Sequence, residues 1–450
     1  MARDSNNQSR RKFLKTTAAT GTAATLGGLA GCTGAGGSGS GGQENGGSDE
    51  TGSSGSGSSD GGTSMATITR LSNAYWGSWV KGYEEAAEAL GYDTNVQLNE
   101  GKLSKQIQQV DTAIANQTDL VMGQAFTNSG VPPLAEACVD AGVPLVMLWT
   151  IDKWYTPQDA GDEFVQFFMP NAINNGYTAA KALFEAMGGS GNIVHIEGVR
   201  GNAANTGRNI GLDKAMEEYP DIELLAPPQQ GRWVKSESRK VMSDFVSQFG
   251  DDIDGVFGQN DAVGLGALTI AEENDLDIEV VGIDGIPEAL GLVEEGRFTA
   301  TVSSLGPWQG GWCLVKAHDF ANGWRPKDGE RMMLHGSPLC VEETSDFDMI
   351  ETLPVLDAGN FNELIFEGDS TPYDWEKMSV TEAGEDNWDP QNSLVPIRKE
   401  DMVEPGLLEW KDKNKPSGYE IPDAYSDTAA LDEVEQMYAD HFQNNPLTQS

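Results

Sequence analysis

From Ala66 onward, short apolar runs alternate with amphipathic stretches at helical spacing, and the links between them are only a few residues long. No other feature constrains the fold as much. Strand–helix–strand repetition with short links requires parallel pairing, because a parallel pair needs a crossover long enough for a helix. "ATITRLS" reads as a strand. "WGSWVKGYEEAAEALG" then places Trp76, Trp79, Val80, Tyr83, Ala87 and Leu90 on one helical face and stops at Gly91. The strands "TNVQL", "DLVMGQA" and "VPLVML" follow, separated by the helices "SKQIQQVDTAIANQ" and "PPLAEACVDAG".

After a stretch rich in aromatics, 149–168, read as a loop, a second series begins. Strands "NIVHIE", "IELLA", "DGVFG", "EVVGID" and "FTATVSS" alternate with helices such as "TGRNIGLDKAMEEY" and "AVGLGALTIAEEN". Two series predict an α/β protein with two Rossmann-like lobes, each built on a parallel sheet, with a cleft between them. "GPWQGGWCLVKAHDFANG" reads as a helix returning to the first lobe. Lobe 1 is therefore assigned residues 66–170 and 305–336, and lobe 2 residues 171–304 and 337–345. The chain crosses between them three times, near Pro170, Ser304 and Ser337. Beyond Val341 the periodicity fails, and 346–450 is a C-terminal extension of unknown role, with one helix expected at "TAALDEVEQMYADHF".

The first 64 residues carry no fold pattern. "SRRKFLK", residues 9–15, is a twin-arginine export signature followed by a weakly apolar run, 16–30, too short and too rich in Gly, Ala and Thr to span a bilayer. "LAGC", ending at Cys32, resembles a lipobox whose cysteine receives the lipid. Residues 1–32 are thus a signal with a lipid-attachment site, and the Gly/Ser tract 33–64 is a flexible tether. The expected location is the outer face of the cell membrane, with the protein held by its lipid.

Charge narrows the partners. With 29 basic and 70 acidic residues the formal net charge is −41, which repels phosphate backbones and sets nucleic acid aside. Such a surface suits a folded protein kept soluble in concentrated salt, so a halophilic archaeon is the expected source. The histidines His195, His318, His335 and His441 are scattered, and Cys138, Cys313 and Cys340 match no metal spacing. Neither a metal nor a cofactor is expected. A Cys313–Cys340 disulfide is possible outside the cell.

The stretch "DGVFGQNDAVGLGAL", 254–268, places Gln259, Asn260 and Asp261 at the carboxyl end of a buried strand, where open α/β sheets bind ligands. A dinucleotide fingerprint is absent, because "GLGAL" lacks the third glycine. One of Asn260 and Asp261 caps the next helix, and the other points into the cleft.

"GVFGQNDAVGLGAL", "VVGIDGIPEAL", "EEGRFTATVSS", "SNAYWGSWVKGYEEAAEALGY" and "EGVRGNAANTGRNIGLDKAM" together resemble the type I periplasmic sugar-binding proteins, in particular the ribose-binding-like group, over residues 66 to about 342. The resemblance implies a substrate-binding protein that closes two lobes over a sugar and delivers it to the permease of an ABC importer. No helix-turn-helix lies ahead of Ala66, and an export signal does, which sets aside the related effector domains of repressors. By the same resemblance Asn73 bonds a sugar hydroxyl, Tyr75 and Trp76 pack on the ring, and Arg208 is the binding arginine. Trp233 is the aromatic of the second lobe, and Asn260 and Asp284 supply its remaining polar contacts. The chemistry is consistent: Asn donates and accepts, Asp accepts, Arg donates in a fixed fork, and aromatic walls suit the C–H faces of a sugar. Three other readings stay open. Trp76 fits the core of its helix, Arg208 fits a surface pair with Glu217 or Glu218, and Asp284 fits a cap for the helix at Pro287.

Two departures bear on the ligand. Where the family carries an aspartate, this chain has Trp149 and Thr150, and where it carries a hinge glutamine, this chain has Ser304. The expectation is a monomeric binder of a neutral sugar or polyol, with Trp149 in the site. A nucleoside or a signalling molecule is the rival ligand. An extracellular enzyme lacks a nucleophile–histidine arrangement or a supported carboxylate pair.

Overall fold

The computed structural model describes residues 61–71, 74–344 and 354–448. The expected signal, most of the tether, Cys32 and Asn73 lie outside the described residues. Strand β1 (Gly62–Ile68) is followed by helix α1 (Ala74–Leu90), β2 (Tyr92–Leu98), α2 (Leu103–Ala115), β3 (Leu120–Gly123), α3 (Val131–Ala141), β4 (Leu145–Leu148) and β5 (Phe164–Pro170). The next unit holds α4 (Ala172–Ala186), β6 (Gly191–Glu197), α5 (Ala203–Glu218), β7 (Ile222–Leu224), β8 (Gln229–Gln230), α6 (Lys235–Phe249), β9 (Gly255–Gly258) and α7 (Asp261–Glu273). After them come β10 (Glu279–Asp284), α8 (Pro287–Glu294), β11 (Ala300–Ser303), α9 (Gly306–Ala321), β12 (Met332–His335) and β13 (Leu339–Val341). The extension contributes β14 (Val355–Asp357), β15 (Leu394–Pro396) and α10 (Thr428–His441).

Two sheets organise these elements. The first runs β15-β12-β5-β4-β3-β1-β2 and the second β14-β13-β11-β10-β9-β6-β7, with β8 paired to β6. Pairing is parallel except for β12 with β15 and β11 with β13. Both faces of each sheet are buried. In the second sheet Ile193 and Phe257 face α4 and α5, while their neighbours Val194 and Val256 face α6 and α7. Strands covered on both sides read as continuous apolar runs.

Helices α1 and α9 cover one face of the first sheet at backbone contact. A β-carbon on Gly82 would stand 1.9 Å from the Pro307 carbonyl oxygen, and one on Gly310 would stand 1.9 Å from that of Trp79. Only glycine allows this approach, and it fixes the first turn of α1, which carries Tyr75 and Trp76.

The structure corrects two expectations. The tether ends before 64: Gly62 to Ile68 pair with β2 and Ser64 to Thr67 with β3, and the buried Ser64 hydroxyl lies 2.7 Å from that of Tyr83. The aromatic stretch 149–168 is not all loop. "FVQFFMP" forms β5, buried throughout, because β4 and β12 flank it on both sides. The extension, whose role the sequence left open, joins both lobes. It enters the second sheet through β14 and the first through β15, so the chain passes between the sheets a fourth time. Cys138, Cys313 and Cys340 are all free and buried, so the Cys313–Cys340 disulfide is absent.

The extension is held to lobe 1 at a buried ion pair within α9. Lys316 Nζ lies 2.7 Å from Asp319 Oδ2, both side chains fully buried, and three indoles surround the ammonium: Trp312 and Trp324 at 4.6 Å and Trp388 at 5.2 Å. Asp319 also accepts from Ser379 Oγ at 2.6 Å and from the Val380 and Thr381 amides. Burial alone would raise the Asp319 carboxyl, but Lys316 and these donors hold it below the usual range. No helix among the described residues is long and apolar enough to cross a membrane.

Candidate functional site

Each described side chain expected at the site is delivered by the carboxyl end of a strand or by the segment that follows it. Tyr75 and Trp76 open α1, their rings edge to face at 5.0 Å. Trp149 follows β4 in a left-handed conformation, φ 64°, and its indole Nε1 donates to the Tyr75 hydroxyl oxygen at 2.6 Å. The Tyr75 hydroxyl donates in turn to Gln309 Oε1. These groups form the lobe 1 side.

On the lobe 2 side Arg208 projects from α5 and is only 2% exposed. Its Nη1 donates to the Gln259 carbonyl at 2.5 Å, and Nη2 lies 3.7 Å from Asp284 Oδ1. Its guanidinium carbon stands 5.3 Å from the centre of the Trp233 ring. Among the described residues the buried Nε has no partner. Asp284 ends β10 with φ 141° and accepts from Asn260 Nδ2 at 3.1 Å and from Ser304 Oγ at 3.4 Å. Trp149, Trp233 (φ 62°) and Asp284 all hold backbone conformations that L-residues rarely adopt, and such strain concentrates at functional sites.

The two sides meet. Burial raises the Tyr75 hydroxyl well above its usual range, and the charges of Asp284 and Arg208 reach it from the other lobe with opposite signs. Burial lowers the Arg208 pKa, opposed chiefly by Asp284 and then Asp261, and raises that of Asp284, opposed by Arg208. The result is an enclosed donor–acceptor constellation with aromatic walls, containing one guanidinium, one carboxylate, one amide and a phenol.

Of the residues expected at the site, Tyr75, Trp149, Arg208, Trp233, Asn260 and Asp284 converge. Trp76 is buried between Tyr75 and Trp79, so it serves the core as well as bordering the site. Arg208 is not a surface ion pair, since α5 turns it inward onto α4 and the second sheet. Asp284 does not cap α8, whose cap is Ile286. Asn260 does both jobs divided above between Asn260 and Asp261. Its Oδ1 accepts from the Val263 amide at 3.0 Å as the cap of α7, while its Nδ2 holds Asp284. Asp261 points away from the cleft and ties down the loop before α8 through Thr301 Oγ1 and the Ile286 amide.

Sequence reasoning assigned no role to Gln259, Gln309 or His335. Gln259 stands in the quoted strand end, and its fully buried amide accepts from the Gly198 amide and donates to Asn209. Gln309 lies in the first turn of α9 and His335 at a strand end near the hinge, where nothing local marks them. A separate groove of about 370 Å³ lies behind Gln259, lined by Glu197, Asn205, Asn209 and, from the extension, Glu404 and Glu409. None of the converging residues lines it.

Comparison with known proteins fits this geometry. A family model described as a periplasmic binding protein domain matches residues 66–324, and one for the twin-arginine translocation pathway signal sequence matches residues 7–27. The chain is similar to a xylitol-binding protein of Mycolicibacterium smegmatis, 32% identical over 200 residues that make up 44% of this chain and 55% of that protein. It is similar to a D-allose-binding periplasmic protein of Escherichia coli, 29% identical over 239 residues, 52% of this chain and 76% of the relative. Thus the match spans about half the length of the first relative and three quarters of the second. Among solved structures, an ABC transporter periplasmic solute-binding protein from Actinobacillus succinogenes with bound D-allose aligns with a TM-score of 0.59 at 26% identity. That alignment covers 63% of this chain and 99% of that one.

Proposed function

Because the chain belongs to the periplasmic binding protein family, we propose that it is the solute-binding component of an ABC importer, capturing a neutral sugar or polyol between its lobes without changing it chemically. The observation that carries this reading is the convergence of Arg208, Asn260 and Asp284 with Tyr75 and Trp149 across the lobes, with the buried Arg208 Nε unpartnered among the described residues. A hydroxyl accepts from that N–H and donates to Asp284, and the rings cover its C–H faces. Asn73 is the additional lobe 1 contact in this proposal.

Ligand acts by population shift. Residues on both lobes favour the closed form, and the permease reads closure. The deciding experiment is a thermal-shift screen over monosaccharides, polyols and nucleosides in high salt, since a ligand that binds only the native state raises the melting temperature. A sugar or polyol hit with compaction in small-angle scattering supports the proposal. A nucleoside hit supports the second reading, which the aromatic surface of Tyr75, Trp149 and Trp233 favours. Turnover of any hit overturns both.

The signal match places export outside the cytoplasm. Lipid attachment at Cys32, a monomeric state and a halophilic archaeal source are further parts of the proposal, supported by the "LAGC" sequence and the net charge of −41. The lobe boundaries given above, with the tether shortened to end before Gly62, belong to it as well. Cys32→Ser should move the protein from the membrane fraction to the medium with ligand affinity unchanged, because the tether separates anchoring from binding. Retention on the membrane after a high-salt wash excludes the anchor.

A further inference from the structure

We propose that Gln309 and His335 are positioning residues for the ligand site, orienting Tyr75 and Trp149 through a one-way run of buried hydrogen bonds whose far end is fixed by the C-terminal extension. The inference rests on the reading that Tyr75 and Trp149 face the ligand.

The direction of the run follows from its two ends. An indole N–H only donates, and a peptide carbonyl only accepts. At one end Trp149 Nε1 donates to the Tyr75 oxygen at 2.6 Å. At the other, His335 Nδ1 lies 2.7 Å from the Gly336 carbonyl oxygen, so Nδ1 carries the proton. In a neutral imidazole Nε2 is then an acceptor, and the Gln309 amide nitrogen, 2.7 Å away, donates to it. That leaves Gln309 Oε1 facing Tyr75, whose hydroxyl donates to it. Every bond in the run has one permitted direction.

The surroundings hold the imidazole in the required state. His335 is 1% exposed and lies against Trp308 and Phe168, and burial lowers its pKa to about 4. Gln309 is fully buried.

The Gly336 end sits on the link between β12 and β13, where the chain passes from the first sheet to the second. Asn392 Nδ2 donates to the Gly336 carbonyl at 3.1 Å, and the Gly336 amide donates to the Ser393 carbonyl at 3.0 Å. The extension thus pins the acceptor on which the whole run depends.

This has a consequence for selectivity. The Tyr75 proton is directed to Gln309, so a ligand group that meets this hydroxyl must donate to it. A hydroxyl fits there, and an ether or carbonyl oxygen is disfavoured.

The test uses the full chain in high salt with xylitol as probe. Nitrogen-15 NMR of labelled histidine should show His335 protonated at Nδ1 and not at Nε2 at neutral pH, a measurement that needs no ligand. Gln309→Met should shift the Trp149 indole N–H resonance and weaken xylitol about tenfold, because it leaves a buried donor and acceptor unmatched. His335→Leu should do the same. His335→Gln, whose amide offers both an acceptor and a donor, should restore the resonance and the affinity. An Nε2-protonated His335, or a Trp149 resonance unmoved in Gln309→Met, overturns the proposal. Arg208→Ala separates the two levels of inference. If it weakens xylitol while Gln309→Met and His335→Leu do not, the positioning role fails and the site stands. If Arg208→Ala leaves xylitol binding unchanged, the site reading itself fails.

Discussion

The Arg208 guanidinium carbon lies over the Trp233 indole, 5.3 Å from the ring centre, and the ring reaches this place only because residue 198 is glycine. A β-carbon at 198 would stand 1.9 Å from the edge of the indole. The contact joins three segments: the end of β6, the second position before α6, and α5. A cation over an indole contributes ~0.5–2 kcal/mol. Gly198→Ala should therefore displace Trp233 and weaken ligand binding by roughly 2- to 30-fold with secondary structure intact. Calorimetry on that variant showing native affinity would remove Trp233 from the site.

Arg208→Ala deletes the one guanidinium in the constellation and leaves Asp284 without its counter-charge. Loss of a charge-assisted hydrogen bond costs about 1.5–3 kcal/mol, so affinity should fall about 10- to 150-fold. Arg208→Lys should recover little, because an ammonium cannot reproduce the fork that reaches both the Gln259 carbonyl and Asp284. Titration of both variants with the ligand from the thermal-shift screen checks this.

Trp149→Asp probes the departure from the family. Aspartate tolerates the left-handed backbone that Trp149 already adopts, so the substitution should fold. It removes the donor to Tyr75 and supplies an acceptor. Affinity for the native ligand should drop, and recognition of ribose-like pentoses should improve. If affinity for the native ligand is unchanged, Trp149 lies outside the site.

His195 gives a pH signature with a definite sign. It is buried on β6 against Phe257, its Nε2 has no partner among the described residues, and burial lowers its pKa to about 3 from an unfolded value near 6.5. Between those values the unfolded chain binds a proton that the folded chain refuses, so stability falls as pH drops from about 6.5 through about 3. The slope from one such group is about 1.4 kcal/mol per pH unit. His195→Leu should flatten the decline measured by denaturant unfolding between pH 7 and 4.5. His335 acts with the same sign in both proteins, so the difference between them isolates His195. An identical pH profile for wild type and variant would show that His195 is not buried as a neutral ring.

Asp319→Ala tests how the extension is held. It strands the Lys316 ammonium among three indoles and strips the acceptor from Ser379, Val380 and Thr381. Breaking a buried pair by removing one partner costs about 3–5 kcal/mol. Melting should shift down markedly, and limited proteolysis should cut the 379–381 region early. Wild-type resistance in the variant would mean that the extension is anchored elsewhere.

The sequence by itself determined what depends on near neighbours in the chain. Apolar periodicity marked most strands and helices of both lobes, and strand ends displayed the residue types of a small-ligand site. Local pattern missed β5, because "FVQFFMP" is covered on both faces and shows no alternation. It also missed β14 and β15, three residues each, which are strands only because β13 and β12 lend them partners. At the site, the tertiary structure alone decided that Asn260 both caps α7 and holds Asp284, and that Arg208 turns inward instead of pairing along its own helix. It alone joined Trp149, Tyr75, Gln309, His335 and Gly336, which come from four separate stretches of chain. Burial and hydrogen-bond partnership are properties of packing between distant segments, and packing of that kind leaves no periodic trace in the sequence.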